Sequence, residues 1–281
     1  MPNLARVVQV RKNTGELVPF DPMKLKEALR SSGASDNEID AVIGQVLPSM
    51  YDGITTKKIF HLAYGLLRKM SSRSAGRYKL KKALMEMGNT GFPFEQFVAR
   101  LLESEGYTTQ TGQIIQGRCV QHEVDVIARK NGRLVMAECK YHQTEGIKSD
   151  VKISLYVHSR FLDIRQKLME DPGNQSLSFQ PMLVTNTRFT EDAIQFGECS
   201  GLDLLSWDYP QGHGLKDRID RTGFFPVTVL KSLTRQEKMA LMDKGIVLCR
   251  EIITKPELLY PLQIPKRRLT CIIQEAQALV K

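Results

Sequence analysis

The segment His122–His142, HEVDVIARKNGRLVMAECKYH, holds the residues best suited to chemistry. Glu123, Asp125, Glu138 and Lys140 are three acids and one amine within two short strand-like runs, HEVDVIA and LVMAECKYH. Asn131-Gly132 lies between the runs, and Asn-Gly is a strong signal for a two-residue hairpin because both turn positions need positive φ. A two-residue loop puts Asp125 opposite Glu138 and Glu123 opposite Lys140. Opposed Cβ atoms in such a ribbon lie roughly 4.5–5.5 Å apart. Residues two apart share a face, so the four polar side chains form one cluster. The other face carries Val124, Val126, Ala128, Val135, Ala137 and Cys139, a surface suited to a core. Carboxylates and a lysine at the end of a rigid hairpin can hold a divalent cation. They can also be cross-strand ion pairs on a solvated face, each contributing roughly 0.2–1 kcal/mol.

Elements on both sides must position this hairpin. Upstream, GFPFEQFVARLLESEGYTTQ repeats Phe94, Phe97, Val98, Leu101 and Leu102 at helical spacing, which predicts a helix near 93–106. Glu95 lies off that stripe, in the first turn, where an acid suits the helix dipole. A strand near 114–120 follows, then the hairpin, a long helix near 148–170, a strand near 181–185, a helix near 189–199 and a strand near 202–206. That order predicts a mixed sheet flanked by helices. Trp207 and Tyr209-Pro210 close the segment as packing residues.

Glu in the first helix, Asp in a strand and Glu-x-Lys ending the next strand resemble a PD-(D/E)xK nuclease. HEVDVIA, AECKYH and the downstream LVTNTRFTEDAIQF are most similar to the Mrr-type restriction endonuclease family. The resemblance implies that Asp125 and Glu138, with the Cys139 carbonyl, hold Mg²⁺ or Mn²⁺, a hard cation that prefers oxygen. It implies that the cation activates water, that Lys140 orients the attacking water or neutralises charge, and that Glu95 assists the metal or a second ion. Glu123 and His122 are further candidates, whereas His122 and His142 lack partners at metal-binding spacing and suit structural or substrate-side roles. Lys148, Lys152 and Arg160 on the long helix are expected phosphate contacts.

Residues 1–90 read as a small hairpin and four helices. RVVQV and ELVPF flank the turn Asn13-Thr14-Gly15, Asp21-Pro22 starts a helix ended by Gly33, and Ser35 with Glu38 forms a capping box for a helix near 36–47. Thr55 or Thr56 caps a third helix with the stripe Ile59, Leu62, Ala63 and Leu66, and a basic helix runs from about Ser74 to Gly88. VRKNTGELVPFDPMKLKEAL and YDGITTKKI resemble the ATP-cone, the nucleotide-binding regulatory module of ribonucleotide reductases and of their repressor. By that resemblance Val10, Arg11 and Lys12 would line ATP or dATP, Lys24 would reach the phosphates and Thr56 would touch the ligand. The family usually has Lys-Arg before the turn, and Lys12-Asn13 stands there in this chain. The repressor itself is disfavoured, since no cysteine pair has zinc-ribbon spacing.

Residues 213–281 begin with a linker-like GHGLKDRIDRTG, followed by helices in TRQEKMALMDKGI and IPKRRLTCIIQEAQALV. The turns between them resemble a helix-hairpin-helix module, with Lys266, Arg267 and Arg268 placed to meet phosphates; a protein-interaction role is the competing reading. The glycine usual in the second hairpin is replaced by the Ile264-Pro265 region.

The expected fold class is therefore an α+β and α/β multidomain chain, divided at 1–90, 91–212 and 213–281. Its 281 residues suffice for two or three small domains. The net charge of +9 favours a polyanionic partner. Five scattered cysteines suggest reduced, buried thiols, with Cys249 and Cys271 in a core, and neither disulfides nor zinc. No apolar run reaches membrane-spanning length, so a cytoplasmic location is expected. Together these readings predict a Mg²⁺-dependent deoxyribonuclease acting on DNA, tuned by ATP or dATP, with no membrane partner and with homo-oligomerisation open. The alternative is a non-catalytic, nucleotide-responsive nucleic-acid binder.

Overall fold

The computed structural model describes residues 8–12, 14–144 and 146–280. Arg6, Val7 and the turn residue Asn13 thus lie outside the described residues. The chain forms two compact units, one reaching Leu80 and the other covering Lys81–Val280. Residues 213–280 therefore share a compact unit with the central sheet.

In the first unit β1 (Gln9–Arg11) pairs antiparallel with β2 (Leu17–Pro19). Asp21 caps α1 (Pro22–Ser31), its side chain accepting from the Met23 amide at 2.9 Å, with Pro22 in the first turn where its missing N–H costs nothing. The Ser35–Glu38 capping box starts α2 (Asp36–Val46). A third strand, β3 (Ile54–Thr55), runs parallel to β1 and was not foreseen. Its two residues are too few to show a period. The N-cap of α3 (Thr56–Met70) is Thr55, whose side chain accepts from the Lys58 amide, so Thr56 is the first helical residue. Leu25, Leu29, Ile39, Val42, Ile54, Ile59, Ala63 and Leu67 form the core of this unit. The chain then enters α4 (Ser72–Met85).

In the second unit α5 (Phe92–Ser104) leads to β4 (Thr108–Gln116), β5 (Gln121–Lys130) and β6 (Arg133–Lys140). After the short β7 (Lys148–Ser149) come α6 (Val151–Leu168), β8 (Ser178–Thr185), β9 (Arg188–Phe189), α7 (Glu191–Ser200) and β10 (Asp203–Leu205). The main sheet has the order β10-β8-β6-β5-β4. It is antiparallel across β4, β5 and β6 and parallel across β6, β8 and β10. The mixed sheet with flanking helices matches the expected class.

Local boundaries differ in instructive places. The first strand occupies 108–116 rather than 114–120. It is an edge strand rich in Thr and Gln, so hydrophobic alternation marks it weakly, and residues 117–120 close a turn in which the Gly117 amide donates to the Val120 carbonyl at 2.8 Å. The passage expected to be a linker holds α8 (Leu215–Thr222), because Leu215 and Ile219, four apart, are fully buried. It is followed by α9 (Arg235–Met242), α10 (Cys249–Thr254) and α11 (Lys266–Val280). All five cysteines are free thiols, and Cys139 and Cys249 are buried, but Cys119, Cys199 and Cys271 are exposed, so Cys271 is not a core residue. Among the described residues no helix is long and apolar enough to cross a membrane.

The backbone is strained just before Ile264-Pro265, where the expected helix-hairpin-helix module would have a glycine. Gln263 adopts φ 52°, a left-handed conformation, one residue before Ile264-Pro265. That region costs an L-residue with a side chain roughly 1–2 kcal/mol, while glycine gives part of the gain back as chain entropy. Gln263→Gly is therefore expected to stabilise the chain by about 0.5–1 kcal/mol. A rise in the urea midpoint at constant slope would show it; a fall would mean that the glutamine side chain makes contacts that outweigh the strain.

Candidate functional site

The hairpin forms with the predicted turn. Asn131 has φ 46° and Gly132 φ 75°, and the β5–β6 register runs from Lys130↔Arg133 to Val126↔Ala137. The expected facing pairs, Asp125–Glu138 and Glu123–Lys140, lie just past the last laddered pair. There each strand keeps its other neighbour. Val124 and Glu123 stay paired with Gln113 and Ile114 of β4, while Glu138 and Lys140 stay paired with Leu183 and Thr185 of β8. At the parting point Asp125 replaces a backbone acceptor, its Oδ2 taking the Cys139 amide at 2.7 Å.

The alternation expected for β5 slips at the same residue. The β4–β5 register passes from Thr111↔Val126 to Gln113↔Val124, stepping over Asp125 and Gly112, which has φ 59°. Val124 and Ile127 consequently pack in one cluster with Leu134, Met136, Phe161 and Ile164. Val124 thus does not lie on the face predicted for it with Val126 and Ala128.

Glu95, Asp125 and Glu138 act on one another electrostatically here, with exposed Glu123 contributing. Glu95 lies in the first turn of α5 and is half-buried. Burial, followed by repulsion from Asp125, Glu123 and Glu138, pushes its carboxyl up to about 7. The Asp125 carboxyl is raised by burial against the opposing hydrogen bond from the Cys139 amide. Glu138 is raised by burial and then by the charge of Asp125, with Arg160 acting in the opposite direction. Lys140 is exposed and lines a cleft of about 460 Å³ with Asn89, Gly91, His142 and Gln143.

Several supporting contacts were not legible in the sequence. Arg160 was expected to touch phosphate. It instead points inward from α6, Nη1 lying 2.7 Å from Glu138 Oε2, with side-chain exposures of 13% and 23%. Asp163, one turn further along α6, closes the β4–β5 turn: it accepts from the Cys119 amide at 2.9 Å and lies 2.8 Å from His122 Nε2. A side chain at Gly117 would collide with that carboxylate. His142 is also built into the fold, its amide donating to Asn186 Oδ1 and its carbonyl accepting from Asn186 Nδ2, each at 2.8 Å. The Tyr141 hydroxyl donates to the Met85 carbonyl at 2.6 Å, fixing the approach to α5.

The remaining expected contacts divide in the same way. Lys148, Lys152, Lys266 and Arg267 are exposed. Arg268 is occupied in joining α11 to α9, donating to both Glu237 carboxylate oxygens and to the Ser232 carbonyl, each at 2.9 Å. In the first unit Arg11 is exposed opposite Leu17 and Thr55, Lys24 is exposed in the first turn of α1, and Lys12 pairs with Glu16 at 2.9 Å. Val10 is 4% exposed and belongs to the core, so its side chain does not line a nucleotide surface. Among the described residues no group of three or more His, Cys, Asp or Glu is arranged to hold a metal ion.

Sheet order and hairpin define a mixed α/β protein with an acidic cluster at a strand divergence. Residues 225–280 match the family model described as AF1548-like, C-terminal. An "Uncharacterized protein" of Archaeoglobus fulgidus is 32% identical over 184 residues, which is 65% of this chain and 99% of that protein. The crystal structure of a protein of unknown function, AF1548, matches with a TM-score of 0.57 and 31% identity, over 68% of this chain and 98% of that one. The chain belongs to the AF1548-like family.

The Asp163 turn yields a pH prediction. The hydrogen bond from His122, assisted by the Cys119 and Val120 amides, lowers the Asp163 carboxyl from its ordinary 3.8 to about 2. A depressed folded-state value means stability present above the unfolded value and lost as pH falls through the folded one. Asp163→Asn should therefore be less stable than the parent chain above about pH 4. The gap should narrow as pH falls towards about 2. Denaturant midpoints across that range measure it, and a gap independent of pH would assign the role to shape rather than charge.

Proposed function

We propose that this protein is a divalent-metal-dependent DNA endonuclease, with a second unit of the Mrr-type PD-(D/E)xK class and a first unit that acts as an ATP-cone sensing ATP or dATP. The observation that carries the reading is the parting of β5 and β6 at Asp125 and Glu138, with Glu95 close enough to feel their charge and Lys140 open to the adjoining cleft. The donor set fits a hard cation, since all of its members are carboxylate or carbonyl oxygens. Asp125, Glu138 and the Cys139 carbonyl would hold Mg²⁺ or Mn²⁺, with Glu95 in support. Two carboxylates and a carbonyl fall short of a closed three-acid cage, which is compatible with Mg²⁺ because that ion usually keeps several waters.

When bound, such a cation would supply water activation and charge neutralisation at a phosphodiester. This chain's own residues would do the rest. Lys140 would sit against the phosphate and offset its developing negative charge. Arg160 would hold Glu138 in place through their 2.7 Å pair, acting as a positioning residue. Arg11, Lys12, Lys24 and Thr56 would receive the nucleotide in the first unit, with Arg11 and Thr55 brought side by side by the β1–β3 pairing. The helix-hairpin-helix reading of the C-terminal helices, with Lys266 and Arg267 on phosphate, belongs to the same proposal, as do a cytoplasmic location and the DNA partner suggested by the charge of +9.

A second reading has its own observation. The Arg160–Glu138 pair already gives Glu138 a cationic partner, as a structural ion pair would, and this suits a non-catalytic, nucleotide-responsive nucleic-acid binder.

Incubation with linear, supercoiled and branched DNA, with and without Mg²⁺ and ATP, separates the two. Cleavage is expected only with the metal, and Lys140→Ala or Glu138→Ala should reduce it by at least about 10²-fold with an unchanged circular dichroism spectrum. Equal cutting by both variants, or DNA binding without any cutting, would reject the nuclease. For the first unit, ATP or dATP at 100 times its dissociation constant should stabilise by about 2.7 kcal/mol, read as a thermal shift. No shift at millimolar nucleotide would reject the sensor.

A further inference from the structure

A second cleft, of about 400 Å³, lies beside the one that contains Lys140, and the two share Asn89 and Gln143 as walls. The two clefts thus adjoin at these residues, the first lined by Lys140 and the second by Arg235 and Lys238 of α9. Arg235 is exposed, and its side chain makes no hydrogen bond or ion pair among the described residues. Lys238 is oriented by its donation to the Thr228 carbonyl at 3.0 Å. Gln143 is steadied by its own donation to the Gly88 carbonyl at 3.3 Å. The acid of the second cleft, Glu86, has Lys82 at 3.9 Å as a counter-charge. Met239 and Met242 line the same stretch and give it a soft apolar wall.

We infer that a DNA strand passing the candidate site continues along these adjoining clefts, its phosphates meeting Lys140 at one end and Arg235 at the other. This rests on the nuclease reading above and adds a binding track to it. The chemistry runs in order along the groove. Cations at both ends neutralise phosphates, the Asn89 and Gln143 amides can donate to phosphate or sugar oxygens, and the methionines accept bases or sugars without sequence preference. The track approaches the C-terminal helices through Arg235 on α9.

The test uses the full chain in EDTA, so that binding is read without cleavage, with a labelled duplex carrying a single-stranded tail. Fluorescence anisotropy is followed across salt concentrations for the parent, Arg235→Ala, Arg235→Lys and Arg129→Ala, the last exposed near the hairpin turn at the opposite end of β5. Arg235→Ala should weaken binding about tenfold and reduce the slope of log affinity against log salt by about one. Arg235→Lys should restore the slope, and Arg129→Ala should change neither. If Arg235→Ala binds like the parent while the parent binds and, with Mg²⁺, cuts DNA, the track is wrong and the nuclease reading stands. If the parent binds no DNA, both fall.

Discussion

The hydrogen bond from the Cys139 amide to the Asp125 carboxylate is the contact on which this site depends. Where two strands diverge, backbone donors on the facing edges lose their partners, and a buried unpaired amide costs about as much as a lost hydrogen bond. Asp125 removes that cost by acting as the acceptor itself. The exchange anchors the aspartate at the apex of the fork and lets β5 follow β4 while β6 follows β8. Glu138 and Lys140, which flank buried Cys139 along β6, then share one face beyond the end of the β5–β6 ladder.

Such a cluster is unfavourable by itself. Burial and mutual repulsion raise Glu95, Asp125 and Glu138 together, and the compensating charges are few. Arg160 reaches one carboxylate from α6, and Lys140 stays at the rim. In the proposed function a divalent cation would supply the missing positive charge. The surrounding contacts hold the frame: Asp163 clamps the β4–β5 turn, Asn186 ties down the segment following Lys140, and Tyr141 fixes the segment before α5.

Much of this frame was legible in local patterns. Asn131-Gly132 predicted the hairpin and its register because positive φ at two consecutive positions restricts the residue types strongly. Asp21-Pro22 and the Ser35–Glu38 box placed two helix starts, because capping is decided within four residues. The spacing of Phe94, Phe97, Val98, Leu101 and Leu102 placed α5, and Glu95 with it. Signals were weaker where few apolar residues marked the buried positions, as in β4, whose exposure alternates although its residues are mostly Thr and Gln. The edge strand β4, with its exposed Thr and Gln, was displaced by several residues, and α8 passed for a linker although Leu215 and Ile219 show helical spacing.

The sequence by itself determined the hairpin, its turn, the helices around it and the presence of three acids and a lysine near one end. Tertiary structure alone decided which of those groups meet, and with what. The Arg160–Glu138 pair joins residues 22 apart and the His122–Asp163 pair joins residues 41 apart. Neither separation has a period or a propensity that could announce it. Val10 and Arg268 illustrate the same limit: each has a type suited to a ligand surface, and each was drawn into packing or pairing by a neighbour distant in sequence. Local geometry follows from short-range sterics and hydrogen bonding, whereas the direction of a long charged side chain depends on the counter-charge that the completed fold brings within reach.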